Sequence, residues 1–487
     1  MSSCSSSGGG VRSLGARDVH EVTGAGTRDA GWPLSARRRL SGRPTVGRKE
    51  WPRWHDQGAV AGRMPRSASD ESENPMADQQ ILVLDPTGSD RHAEDAALRA
   101  AGPAARVDVL GVPAWAVTDP ALLKRLLTDS RVSKDPHRHW PLFPDHIVGK
   151  WPLALWVAVR NMFTAYGADH RRLRRLVAPA FTARRVQALS ARIEEVTNGL
   201  LDDLAATPPG EPADLRARFA YPLPIQVIGH LMGLPEDAIG SFRGAVDAVF
   251  ATTLSSEEAT ANTEELYGLL TRLVAAKRAA PAEDLTSTLI ASRDVEGDGS
   301  RLSEQELLDT LLLVISAGYE TTVNLLDQAI TALLSHPEQL AAVRAGRAGW
   351  DAVTEEALRW EAPVPHLPMR FATEDISLPT GQTIKAGDAI LASYAAAGRH
   401  PALHGPTAEE FDLSRPSSEH LAFGHGVHFC LGAPLARMEA TIALRGLFAR
   451  FPDLALAVPP HALRPQESFL SNGHKEVPVM LGRAAAS

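Results

Sequence analysis

Cysteine is nearly absent from this chain of 487 residues: Cys4 and Cys430 are the only two. A disulfide framework and a four-cysteine zinc site are therefore excluded. Lysine is scarce too, seven within a combined Lys and Arg count of 50. Nowhere do about 18 uncharged apolar residues run together, so no transmembrane helix is expected. No apolar stretch follows the start, so the N-terminus does not read as a secretory signal. The net charge of −8 gives no basic surplus, which argues against nucleic acid as the main partner.

What is present divides unevenly. Residues 1–75 carry 12 Lys or Arg against 8 Asp or Glu, while the rest carry 38 against 50. The first segment is rich in Ser, Gly and Arg and has no sustained apolar period, so it cannot bury a core. It is expected to be a disordered extension or a mis-assigned start upstream of Met76.

Beyond it the patterns are mostly helical. Short strands are predicted over 107–117, and a helix from Asp119 to Leu127. Residues 131–162 hold Pro and aromatics in what reads as a long structured loop, a length that usually serves function. Helical periods return over 169–204 with a break at Pro179, then over 214–232, 236–251, 257–279 and 283–293.

The clearest helix begins at Ser303, where Ser303 and Glu306 form a capping-box pattern. It is apolar nearly all round to about Ser335, where His336-Pro337 stops it, so it should lie buried at the centre of the fold. In its middle sits Ala317-Gly318-Tyr319-Glu320-Thr321-Thr322. Gly and two β-branched Thr weaken a helix there, and a buried Glu is costly unless paired or used. A local functional distortion is expected at this point. A helix over 351–360 follows, then strands and turns over 366–394.

Residues 423–437 are the most informative stretch. Gly424, Gly426 and Gly432 bracket Cys430, and Pro434 suits the first turn of a helix that continues to about Phe451. Cys430 thus precedes a helix N-terminus, where the amides and the helix dipole favour a thiolate. Such a thiol can serve as nucleophile, redox group or metal ligand, or can be a buried structural cysteine. His425 and His428 keep a Cys-His hydrolase open. A c-type haem site is excluded, because no Cys-x-x-Cys-His occurs.

The string Phe423-x-x-Gly426-x-His428-x-Cys430-x-Gly432 resembles the haem-binding loop of the cytochrome P-450 monooxygenases. Ala317-Gly318-x-Glu320-Thr321-Thr322 is similar to that family's oxygen-activating motif. Glu356-x-x-Arg359 with Arg415 resembles its structural Glu-Arg network. His170-x-x-x-Arg174 and Arg370 match positions that hold haem propionates in soluble bacterial members. The resemblance spans about residues 80–483.

It implies a mainly α fold with small β-sheets, one haem-thiolate domain over 76–487, and a long buried central helix over the haem. It implies haem b (iron protoporphyrin IX) with Cys430 as thiolate axial ligand, and Leu431 and Gly432 amides donating to the sulfur. Phe423 would shield that sulfur, and His170, Arg174, Arg370 and His428 would hold the propionates. Ala317 and Gly318 would let oxygen and substrate approach the helix, with Thr321 and Glu320 as the catalytic pair. The implied reaction inserts one atom of dioxygen into a lipophilic small molecule, by hydroxylation or epoxidation. Electrons would come from NAD(P)H through a ferredoxin and its reductase, docking on a basic face of Arg171, Arg172, Arg175, Arg437 and Arg445. Oxidative coupling or cyclisation at the same centre is the alternative, and a non-catalytic haem sensor a further one. A cytoplasmic monomer is implied. The substrate pocket is expected from residues 140–165, 220–250, Val314 to Tyr319, 363–368 and Phe469-Leu470, for a macrolide, polyketide, terpenoid or steroid.

Overall fold

Ser303 caps the longest helix of the protein, and both halves of its capping box form. The Glu306 N–H donates to Ser303 Oγ at 3.2 Å, and the Ser303 N–H donates to Glu306 Oε2 at 2.8 Å. The structure is a computed structural model, and it describes residues 81–483, Thr253 excepted. The expectations for residues 1–75 lie outside the described residues.

Seven helices position the site: α1 (Gly167–Val177), α2 (Pro222–Met232), α3 (Ile239–Phe250), α4 (Ser256–Ala279), α5 (Glu304–Ser335), α6 (Trp350–Trp360) and α7 (Ala433–Arg450). The central helix α5 has 32 residues, about 48 Å at 1.5 Å per residue. It is buried on nearly every side because α2, α3, α4, α6 and α7 all pack on it. The expected distortion at residues 317–322 is absent: α5 is one unbroken α-helix. The Thr321 hydroxyl donates to the Ala317 carbonyl at 2.7 Å, a local bond that the turn accommodates.

Prolines divide the remaining helices. The run at 169–204 breaks at Pro179, as its sequence requires, into α1, a 3-10 turn and two further helices. The predicted helix at 214–232 begins instead as a two-residue strand and a π turn. Pro222, lacking an N–H, then restarts the chain as the first residue of α2. His336-Pro337 ends α5 but also opens an unpredicted helix, Pro337–Arg344, through the same N-terminal preference of proline.

The main sheet has six strands: β1 (Leu82–Val83), β2 (Ala104–Val109), β3 (Val112–Val117), β4 (Val132–Ser133), β5 (His366–Ala372) and β6 (Ala389–Ser393), in the spatial order β1-β2-β3-β6-β5-β4. Its register slips between Leu367 and Arg370, where β5 carries one more residue than β6. Pro368 lies in that bulge, a position that needs no ladder donor. The extra residue brings Leu367 and Arg370 to the same face. The segment 131–162 is mostly turns, pinned by Trp151 Nε1 donating to the Val109 carbonyl at 3.0 Å and by Trp140 stacked on Phe371. Among the described residues no helix is long and apolar enough to cross a membrane.

Candidate active site

A cavity of about 230 Å³ opens between α5 and the loop that precedes α7. Cys430 faces it. Gly426 lets this loop close on the end of the helix Pro120–Thr128, since its φ is +73° and a Cβ there would meet the Leu127 carbonyl oxygen at 2.8 Å. The Cys430 N–H donates to the Phe423 carbonyl at 2.9 Å, which closes the loop over the thiol. The amides donating to the sulfur belong to Gly432, as expected, and to Ala433 in place of Leu431. The reason is the helix boundary: α7 starts at Ala433, and its first free N–H groups point back at Sγ. Burial pushes the Cys430 thiol up, while these amides and the charges of Arg174 and Arg437 pull it down. The arrangement suits a sulfur that a metal keeps deprotonated.

Phe423 lines the cavity beside the thiol, with Arg437 stacked 4.6 Å over its ring. Arg437 is held in turn by two bonds to Glu355, at 2.6 and 2.8 Å. Of the other expected residues, Arg174, Ala317, Gly318, Thr321, His428 and Gly432 also line the cavity. The room at Gly318 serves packing first, because a Cβ there would meet Ile228 Cδ1 of α2 at 2.7 Å.

At one edge lies a group of cations. The His170 and His428 rings are 4.1 Å apart, and Arg174 Nη1 donates to the Phe429 carbonyl at 2.8 Å. Arg370 is buried, with Nη2 3.3 Å from the Tyr394 hydroxyl and Nη1 bonded to nothing in the protein. Lys134, which sequence reasoning missed, completes the group. It is 3 % exposed, its ammonium lies 3.6 Å over the Phe163 ring, and Nζ is 3.5 Å from the Pro368 carbonyl. Burial and the neighbouring Arg370 push Lys134 well down. Burial also lowers His170, to about 4, and drives His428 down further with the help of His170, Lys134, Arg370 and Arg174. Among the described residues none of these five side chains has a carboxylate partner. Burial disfavours the charged forms of such groups unless an anion faces them. Orphaned donors at Arg370 Nη1 and His170 Nε2 suit the two carboxylates of a haem. The signal for Lys134 was its rarity, one of seven lysines, directly after a strand.

Thr321 and Glu320 part company. Thr321 faces the cavity, whereas Glu320 points to the other side of α5, since successive helix residues project about 100° apart. Glu320 Oε1 accepts from Ser471 Oγ at 2.5 Å and lies 3.3 Å from Arg216 Nη2, while Oε2 has no protein partner. Burial pushes its carboxyl up, against the pull of Arg216. A second buried acid, Glu439 of α7, lines the cavity with Oε2 also unpartnered, and burial pushes it well up. An acid inside an apolar helix stripe was the only signal for it.

The Glu356–Arg359 pair is fully buried, with two bonds of 2.8 Å. Arg359 also donates to the carbonyls of Gly398, Ala408 and Glu410, and Arg415 Nε reaches Glu356 at 3.4 Å. The network pins the chain that leads to the cysteine loop. Of the five arginines of the expected basic face, four form ion pairs. Arg172 pairs with Glu306, Arg175 with Asp294, Arg437 with Glu355 and Arg445 with Glu194. Phe469 and Leu470 are buried away from the cavity, Phe469 stacked on His366. Tyr319 likewise turns away, its hydroxyl 3.1 Å from Asp247.

Comparison with known proteins agrees with this geometry. Residues 350–467 match the family model described as cytochrome P-450. The chain is 45 % identical to the 2-hydroxy-5-methyl-1-naphthoate 7-hydroxylase of Streptomyces carzinostaticus over 83 % of its own length and 98 % of that protein. It is 42 % identical to the cytochrome P-450 monooxygenase PikC of Streptomyces venezuelae, covering 83 % and 95 %. The solved structure of CYP154A1 from Streptomyces coelicolor A3(2) is 62 % identical and superposes with a TM-score of 0.79, covering 82 % of this chain and 100 % of that one.

Proposed function

This chain belongs to the cytochrome P-450 family of haem-thiolate monooxygenases, and from that premise we propose that it hydroxylates or epoxidises a lipophilic, multi-ring or macrocyclic small molecule. The observation that carries this reading is the Cys430 thiol beneath an apolar cavity, with Thr321 across from it and five basic side chains without a carboxylate partner at its edge. Cys430 would hold a haem through its thiolate, and that group would supply the dioxygen and electron-transfer chemistry.

The protein's own groups have separate tasks. The Gly432 and Ala433 amides hold charge on Sγ and tune the potential. Lys134, His170, Arg174, Arg370 and His428 neutralise the propionates. The apolar walls around Leu313, Val314 and Leu367 exclude water and hold the substrate. Thr321 Oγ1, now bonded to the Ala317 carbonyl, turns to donate its proton toward the distal face. Glu320, one residue away and bonded to Ser471, would relay the next proton from the far side of the helix.

We read residues 76–487 as one catalytic domain that works as a cytoplasmic monomer and takes electrons from NAD(P)H through a ferredoxin-type donor and its reductase. The named substrate of the naphthoate hydroxylase supports a fused-ring substrate class. Carbon monoxide on the reduced protein tests the thiolate. A red-shifted Soret band is expected, and its loss in Cys430→Ser. A normal Soret position in the unaltered protein rejects the reading. Incorporation of one labelled oxygen atom from dioxygen distinguishes insertion from coupling.

A further inference from the structure

Beside the main cavity lies a second, smaller chamber of about 50 Å³, and the two share Phe163, Leu313 and Ala317. Its wall is almost wholly apolar, with Trp156 and Val249 opposite α5. Three polar side chains reach it. The Trp156 indole N–H is engaged, donating to the Val249 carbonyl at 3.3 Å. Asn161 is engaged at both ends of its amide: Nδ2 donates to the Asp309 carbonyl at 2.8 Å, and Oδ1 accepts from the Phe163 N–H at 2.9 Å. Ser316 is different. It is only 7 % exposed, it lines the chamber, and its hydroxyl has no partner in the protein.

That orientation runs against the local alternative. A helical serine can always bond back to the carbonyl one turn earlier, as Thr321 does to Ala317 in the same helix. Ser316 forgoes this bond and leaves a buried hydroxyl unsatisfied, which is unfavourable unless something else supplies the partner. A hydroxyl both donates and accepts, so it can pair with a carbonyl, an ether or another hydroxyl. No cation lines the chamber, and a carboxylate or phosphate brought into it would lose its hydration without compensation.

We infer that the chamber is a subsite for one end of the substrate, and that Ser316 selects a neutral oxygen there, a carbonyl or hydroxyl set into an otherwise apolar skeleton. The inference rests on the haem-monooxygenase reading, because it takes the main cavity as the place of oxidation. It narrows the substrate class to molecules with such an oxygen remote from the oxidised carbon, flanked by Trp156 and Phe163. Ser316 is then a specificity-determining residue and takes no part in proton transfer.

The test uses the holoenzyme and imidazoles with phenyl or naphthyl arms of graded length. Each arm ends in a hydroxyl, a methyl or a carboxylate. Imidazole anchors on the haem iron and leaves the arm to explore the distal side, so spectral titration gives a Kd for each probe. At one arm length the unaltered enzyme should prefer hydroxyl over methyl by roughly five- to twenty-fold, as one buried neutral hydrogen bond implies. The carboxylate arm should bind worst. In Ser316→Ala the preference should vanish while the methyl arm binds as before or better. A preference that survives in Ser316→Ala, or is absent at every length, overturns the inference. Failure of every imidazole to shift the haem spectrum, the methyl arms included, overturns instead the haem reading beneath it.

Discussion

Replacing Lys134 with methionine should move the apo and holo proteins in opposite directions. Without haem, Lys134 is a buried ammonium whose nearby charge is Arg370, and whose protein contacts are the Phe163 ring and one carbonyl. Its folded-state pKa lies well below the ordinary value, so between that lowered value and about 10.4 the unfolded chain binds one more proton than the native one. Apo stability must then rise with pH in this window, by up to about 1.4 kcal/mol per pH unit for one proton at 25 °C. Lys134→Met removes that slope and raises apo stability below the window. With haem bound, the ammonium faces a propionate, and a hydrogen bond to a charged group contributes about 1.5–3 kcal/mol. The variant should therefore lose haem roughly ten- to hundred-fold faster. Urea denaturation of the apo protein across pH, and haem transfer to an excess of a haem acceptor, measure the two arms. Unchanged haem loss in Lys134→Met alongside faster loss in Arg370→Ala would remove Lys134 from the cradle. Unchanged loss in both would refute the cradle itself.

Other substitutions probe other parts. Arg359→Ala breaks a fully buried pair and strands three carbonyls. It should destabilise by at least about 3–5 kcal/mol, read by denaturant midpoint and haem content; a midpoint like that of the unaltered protein contradicts the network's role. Gly318→Ala meets Ile228 and should cost about 1–3 kcal/mol by overpacking, with recovery in the double variant carrying Ile228→Val. An additive double variant would show that α5 and α2 do not meet there. Thr321→Ala should divert electrons to hydrogen peroxide, seen as NAD(P)H consumed without matching product. Intact coupling would take the hydroxyl out of proton delivery.

The parts of this site legible in the sequence are those fixed by local spacing. Ser303 and Glu306 announced the central helix because a capping box needs only residues three apart. The glycines around Cys430 announced a close turn for the same reason. What stayed hidden depends on distant partners. Four arginines of the expected basic face pair with Glu306, Asp294, Glu355 and Glu194, each far along the chain from its arginine. The helical period already separates Glu320 from Thr321, but its partners Arg216 and Ser471 lie far along the chain and no helical period reveals them. Of the sulfur donors Gly432 was foreseen and Ala433 was not, because which amides aim at Sγ depends on the loop's backbone direction and not on spacing alone. Lys134 was missed because its neighbours come from other elements: the bulged strand β5, the loop carrying Phe163 and the cysteine loop.

This scattering has a consequence for the order of synthesis. Lys134 leaves the ribosome long before Cys430. At about 5–20 residues per second the interval is roughly 15–60 s. Throughout it the early cations have neither the ligand loop nor its sulfur to close over a cofactor. The residues that would hold a haem are thus made far apart in time, and their set is complete only when the cysteine loop has followed Lys134 out.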